Sequence, residues 1–578
     1  MEIKPSSSTT CISRGKHLPL APVHFATGVD FDAAGCTPVA ARPSKEAGKP
    51  LVRQLLIGSL ANGHVELTSC NRNGATLVGT TPDLPEGLSS PMSQPSGEAL
   101  KSQLQIKSSL RRAKVWSVTV NNIAFMCVPR SIPACLAATG WELGICALAW
   151  SSVVTYDTGL LIGKLCAMRP HCSSFPELAG EAAAQYSLRR GASSAKESEI
   201  WRRRAGTWTL CLQFVTYYLT SVAELIYFEQ FCGQLFEGAG LCQWQWLIIV
   251  AVASLPTLQV PTFNASRWMA LLVGVVPLLI NCAVMVYEIF LVRPWECKPG
   301  PSFELPSTTS AFLGVTAFAY TFGGHGFYPE EIREMRQPSQ WGQVMHYTYA
   351  VALPLYWGCG LLGYYAYGDF AQANINLNFP LNGANTMSVA VQVVQELYFI
   401  LSSNLVMMLS IELALGIDPS SCGTPLWKMA ASAPRSWPWA KRLLVRSLFF
   451  ASEVFVAQIL LSGEGDTLLA LQSLTGAVGM TAFTYFLPYA FYMMLSPTPL
   501  SKVRLTWSVA NILLGLLAMA VGFLSSMREL FVSSATLFEG ECLLPYAYSP
   551  RSPHDPCYIS GIAQTAIEPG TIEAAAHR

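Results

Sequence analysis

From residue 116 onward, long apolar runs alternate with short polar ones, and eleven of those runs are long enough to cross a bilayer as helices. They fall near 116–139, 141–165, 206–231, 244–262, 267–292, 311–328, 344–368, 387–415, 443–461, 467–495 and 503–523. The pattern predicts an all-α polytopic membrane protein with its transmembrane domain over residues 115–528. Residues 1–114 are rich in Ser, Pro, Gly and Thr and lack both a helical period and a long apolar run, so a disordered N-terminal tail is expected there. Residues 529–578 form a second tail. No cleavable signal peptide is expected, because no basic start leads into an apolar core and a small-residue cleavage site.

Charge sets the expected orientation. The segment Lys107 to Lys114 places four positive charges directly before the first run, and later Lys and Arg residues concentrate in alternate loops. Basic loops stay on the cytosolic side, so the N-terminus is expected in the cytosol and, after an odd number of spans, the C-terminal tail on the other side. With 51% apolar residues, 13% charged residues and a mean hydropathy of +0.35, the chain is too apolar for one soluble core. It is expected as a multi-pass protein of the plasma membrane or of a vacuolar or lysosomal membrane, with the lipid bilayer and a small solute as partners and no nucleic acid. Seventeen cysteines show neither a CxxC pair nor a Cys/His cluster at metal spacing, so no metal or other cofactor is expected. Cys232, Cys242, Cys297, Cys542 and Cys557 are candidates for disulfides on the non-cytosolic side, with unpaired thiols the equal alternative.

Two of the apolar runs are interrupted. In the sixth, Gly323, Gly324, Gly326 and Pro329 break the second half, and in the first, Pro129 and Pro133 lie in the middle. A break inside lipid leaves main-chain groups unpaired unless protein, water or a solute satisfies them. Paired breaks in corresponding spans of two halves predict an inverted-repeat transporter with its solute near the midplane. Arg130 lies beside the first break; it reads either as a substrate contact or as the partner of an intramembrane glutamate, for which Glu224, Glu396 and Glu453 are candidates. Phe322 is expected to line the cavity, whereas Phe318 and Tyr320 read as packing residues and Trp116, Trp141, Trp244, Trp246 and Trp295 as interfacial anchors. For His325, a packing or hydrogen-bonding role at the break is preferred to a proton relay. No nucleophile elbow, phosphate loop or metal-binding His/Glu run marks an enzyme.

The segment FAYTFGGHGFYPEEIREMRQP (318–338) resembles the sixth-span signature of the amino acid/auxin permease family. LPLYWGCGLLGYYAYGDFAQANINLNFP (353–380) is similar to that family's seventh span and outer loop. Asn122 eleven residues before Pro133, the pair Gly140-Trp141, and SFPELAG (174–180) add to the likeness, which covers residues 116–527. The resemblance implies eleven transmembrane helices arranged as a LeuT-like five-plus-five inverted repeat plus one extra helix. It also implies secondary active transport of amino acids or related small amino compounds, coupled to protons or sodium. Substrate-binding positions would then be Asn122, Met126, Cys127, Val128, Arg130, Phe322, Gly323 and Gly324. The coupling ion would involve Asn122, Ser402, Ser403 and Glu224. The family usually carries Gly-x-Gly where this chain has Met126-Cys127-Val128, a departure that reshapes the pocket. It keeps a second reading open, a non-transporting amino-acid sensor on the same fold.

Overall fold

A computed structural model of the chain describes residues 113–191, 194–296, 300–380, 382–415, 438–461 and 467–533, which form helices, connecting turns and two isolated bridges. The expected tails at 1–112 and 534–578 lie outside the described residues. The last helix runs to Ser533, past the expected boundary at 528.

The first broken span begins with α1 (Val115–Met126), which ends where Cys127 and Val128 take ψ values of 94° and 64°. Pro129 then opens a 3-10 turn (Pro129–Ser131), and Pro133 sits in the first turn of α2 (Ile132–Met168). The break therefore precedes the prolines instead of being centred on them. A proline in a first turn gives up a donor that has no partner there anyway, so these residues start the second half and do not kink it. Within α2, Gly140 has φ 70°, a left-handed conformation that separates the rest of the first span from the second.

The motif SFPELAG starts a helix. Ser174 Oγ caps α3 (Phe175–Arg189) by accepting from the Glu177 amide at 3.4 Å. Next come α4 (Ala195–Leu235) and α5 (Gln243–Ser254), the latter stopping just before Pro256. Helix α6 (Phe263–Met269) passes through a π turn into α7 (Val276–Val292).

The second broken span comprises α8 (Thr308–Thr321), a 3-10 turn (His325–Phe327) and α9 (Tyr328–Glu334). Pro329 falls in the first turn of α9, so here too the proline begins a helix, and the break itself is the Phe322-Gly323-Gly324 step. The chain continues with α10 (Trp341–Tyr367), α11 (Gly383–Ala414), α12 (Pro438–Leu461), α13 (Thr467–Thr475), two π turns into α14 (Leu487–Leu495), and α15 (Lys502–Ser533).

Six helical stretches among the described residues are long and apolar enough to cross a membrane, or seven if the pair Leu468–Met480 and Ala482–Leu495, bent by 41°, is one span. One of the six, Val115–Met168, takes in two of the expected segments. Breaks account for part of the shortfall from eleven, since α5 has 12 residues and α8 has 14.

The two broken spans lie antiparallel and are tied at both ends. At one, Ala113 N–H donates to Glu334 O at 2.9 Å and Arg336 N–H to Ala113 O at 2.8 Å. At the other, Ser310 Oγ donates to Ala138 O at 3.1 Å. Helix α10 packs closely on the start of α2: a Cβ on Gly360 would lie 2.3 Å from Ile132 Cγ2, and one on Gly363 would lie 2.5 Å from Pro133 Cγ. Small residues permit such approach between membrane helices. Of the tryptophans expected as anchors, Trp246 is instead buried and stacks on Phe236. Cys242 is disulfide-bonded, whereas Cys232 is a buried free thiol; Cys297, Cys542 and Cys557 lie outside the described residues.

Candidate functional site

Because both helices stop at the same level, their last carbonyls converge. The Tyr356 hydroxyl, from α10, donates at 2.7 Å to Thr321 O at the end of α8 and also contacts Met126 O at the end of α1. The Val128 amide, at 3.4 Å, donates to the same hydroxyl. One phenol thus serves the main chain of both breaks, and its ring meets Phe322 edge-on with centroids 4.5 Å apart. Gly324 has φ 145°, a conformation that side-chain-bearing residues rarely adopt. His325 Nε2 donates to Thr155 O at 2.8 Å and fixes this break against the second span. Met126, Cys127, Val128, Phe322, Gly323 and Gly324 are all buried.

On one side of the breaks, Asn122 Nδ2 donates to Glu331 Oε2 at 2.7 Å and to Val118 O at 3.1 Å. Neighbouring glutamates are held in the same way. Glu330 accepts from Gln213 Nε2 at 3.2 Å and Glu334 from the Asn264 amide at 2.9 Å.

On the opposite side lies Arg130, 3% exposed. Its Nη2 is 2.6 Å from Glu396 Oε1 and 3.7 Å from Glu224 Oε2, while Nη1 donates to Gln392 Oε1 at 3.3 Å. The guanidinium carbon lies 4.6 Å from the centroid of the Tyr227 ring and 5.0 Å from that of Phe231, an aromatic setting that favours a desolvated cation. Tyr320 donates to Glu224 Oε1 at 2.5 Å. One cation and two carboxyl groups therefore share a buried compartment.

A sequence model of the family described as "Transmembrane amino acid transporter protein" matches residues 111–528. The chain belongs to that family. It is thus a membrane protein of an amino acid transport family, as the resemblance implied. Among its relatives, the vesicular GABA transporter of Caenorhabditis elegans is 21% identical over 429 residues, which are 72% of this chain and 79% of the relative. The vesicular inhibitory amino acid transporter of Homo sapiens is 22% identical over 56% of this chain and 59% of its own length. The amino acid transporter AVT1J of Arabidopsis thaliana is 24% identical over 43% of this chain and 56% of its own length. Among solved structures, that of MhsT in complex with L-phenylalanine aligns with 72% of this chain and 99% of its own at 10% identity and a TM-score of 0.40. The manganese transporter of Eremococcus coleocola aligns with 78% of this chain and 90% of its own at 14% identity and the same TM-score of 0.40.

Within this family member, the sequence-derived positions divide into groups. Met126, Cys127, Val128, Phe322, Gly323 and Gly324 gather at the breaks around Tyr356, with Asn122 and Arg130 on either side. The expected ion set is not joined by any recorded contact among the described residues. Ser402 Oγ donates to Tyr398 O and Phe399 O of its own helix, Ser403 is buried on that helix, and Glu224 belongs with Arg130. Asn404 donates to Glu453 Oε2 at 3.0 Å and to Ser221 Oγ at 2.9 Å, so Glu453 is held apart from Arg130. Tyr320, read as packing, is a hydrogen-bond partner of Glu224. Nothing in the sequence sets Tyr356 or Glu331 apart. Among the described residues no group of three or more His, Cys, Asp or Glu side chains is placed to hold a metal ion.

Proposed function

We propose that this protein is a secondary active transporter that moves a small zwitterionic amino acid by alternating access. The observation that carries this reading is the convergence of Met126 O, Thr321 O and the Val128 amide at one buried point between two antiparallel broken spans. A zwitterion needs acceptors for its ammonium and donors for its carboxylate, and interrupted helices offer both without any side chain changing charge. The eleven apolar segments are then eleven spans, in a five-plus-five inverted arrangement with one further helix and a cytosolic N-terminus. Relatives named as vesicular transporters support an intracellular vesicle or vacuole as the membrane.

The coupling ion in this reading is a proton shared by Glu224 and Glu396. A second buried carboxylate beside a single guanidinium leaves one negative charge uncompensated, and such a charge needs a counter-charge. Sodium placed there would be repelled by Arg130, whereas a proton can bridge the two carboxyl groups.

Uptake by proteoliposomes across the twenty amino acids, with pH and sodium gradients imposed separately, tests the proposal. Uptake driven by the pH gradient is expected; binding without flux of any amino acid would return the sensor reading instead.

A further inference from the structure

We infer that the Tyr356 hydroxyl is a tethered stand-in for the substrate's ammonium group, closing the site until a solute displaces it. The inference rests on the transport reading above and adds what regulates the same site.

A phenol has one proton to donate, yet Met126 O and Thr321 O both face it. It therefore satisfies one carbonyl at a time, while an ammonium, with three protons, satisfies both. The phenol's own lone pair takes the Val128 N–H, so one group offers a donor to either break in turn and an acceptor to the first. Tyr356 is 0% exposed, so the phenol meets these main-chain groups away from the protein surface. It also stands on α10 and not on either broken span, so it can leave without unwinding the helices whose carbonyls it covers. The close contacts of Gly360 and Gly363 with Ile132 and Pro133 set the depth at which the phenol meets the breaks.

Displacement has a chemical corollary. A solute must bring a protonated amine with at least two N–H groups to replace the phenol at two carbonyls, so N-acetylated amino acids, which lack the cation, do not compete. A site closed by its own side chain also shows a weaker apparent affinity, by the fraction of time the closure is absent.

The test compares full-length wild-type protein with Tyr356→Phe in proteoliposomes, reading uptake kinetics and the alkylation rate of the adjacent Cys127 by peptide mass. Removing one hydrogen-bonding hydroxyl from a competing occupant is expected to lower KM about three- to tenfold. Cys127 is expected to react faster, and N-acetylated amino acids to leave uptake unchanged in both proteins. A KM raised by Tyr356→Phe would make the hydroxyl a substrate ligand and overturn the inference. An unchanged KM with an unchanged Cys127 rate would overturn it as well. If the variant is not delivered to the membrane, the Cys127 alkylation rates are compared on purified wild type and Tyr356→Phe in detergent; a faster rate in the variant is expected, and equal rates count against the inference. Should wild type take up no amino acid at all, the transport reading fails, and the Cys127 rates alone still decide whether Tyr356 closes the break.

Discussion

The amide nitrogen of Asn122 donates at 2.7 Å to the carboxylate of Glu331, joining the half of the first span before its break to the half of the sixth after its own. Both side chains are buried, at 0% and 1% exposure, so the bond forms away from water. Asn122→Ala leaves the carboxylate without this donor and is expected to destabilise the protein by about 1.5–3 kcal/mol. Asn122→Asp sets two acids against each other and is expected to be worse. Thermal unfolding of the purified variants gives the order.

Substitution at the paired glycines separates space from strain. A Cβ on Gly323 would lie 2.6 Å from Met480 Sδ and 2.9 Å from the carbonyl oxygen of Tyr320, and the latter is backbone. At Gly324 the nearest atoms are 3.6 Å away, so the penalty for Ala there is conformational, about 1–3 kcal/mol. Gly323→Leu and Gly324→Leu are expected to abolish uptake while surface or organelle delivery persists. Normal uptake by both would contradict the site.

The Arg130 compartment makes opposite predictions for its two signs of charge. Arg130→Ala strands two buried carboxyl groups and is expected to cost about 3–5 kcal/mol. Glu396→Gln leaves Arg130 with Glu224 alone, a balanced pair, and should change stability little. It should, however, flatten the dependence of uptake on an imposed pH gradient. A Glu396→Gln protein that still accumulates substrate in proportion to the gradient would place coupling elsewhere.

Ion pairs outside the site differ by burial. Arg504 and Asp157 meet at 2.8 Å but remain 29% and 26% exposed, so Arg504→Ala is expected to cost at most about 1 kcal/mol. Arg446 contacts Glu412 at 2.7 Å with both essentially buried, and it also donates to Leu258 O and Val260 O. Arg446→Ala is expected to cost about 3–5 kcal/mol, because Glu412 and two carbonyls lose a donor together. Denaturation midpoints of the two variants check the contrast.

The breaks were legible because glycine and proline act locally on the backbone and their positions are explicit in the chain. Their exact placement was not. Pro129, Pro133 and Pro329 read as helix breakers, yet each lies where a helix or turn begins. Position relative to a helix start decides a proline's effect, and composition does not reveal that start. For Arg130 the sequence offered a glutamate partner among three candidates but not which one; only packing brings Glu224 and Glu396 to it and leaves Glu453 with Ser221 and Asn404. Tyr356 gave no signal, because an aromatic in a tyrosine-rich span looks like any packing residue until the facing carbonyls are known. Ser402 shows how little a hydroxyl in a membrane helix says by itself, since its proton is readily taken by the carbonyl one turn earlier.

Two residues before that tyrosine, Pro354 lies inside α10. Its ring nitrogen has no proton, so the carbonyl of Ala350 one turn earlier lacks its usual main-chain donor. A rod with a missing rung flexes there first. If a solute displaces Tyr356 as inferred, α10 is expected to give at that missing rung, carrying the phenol away from both breaks while the surrounding bundle keeps its shape.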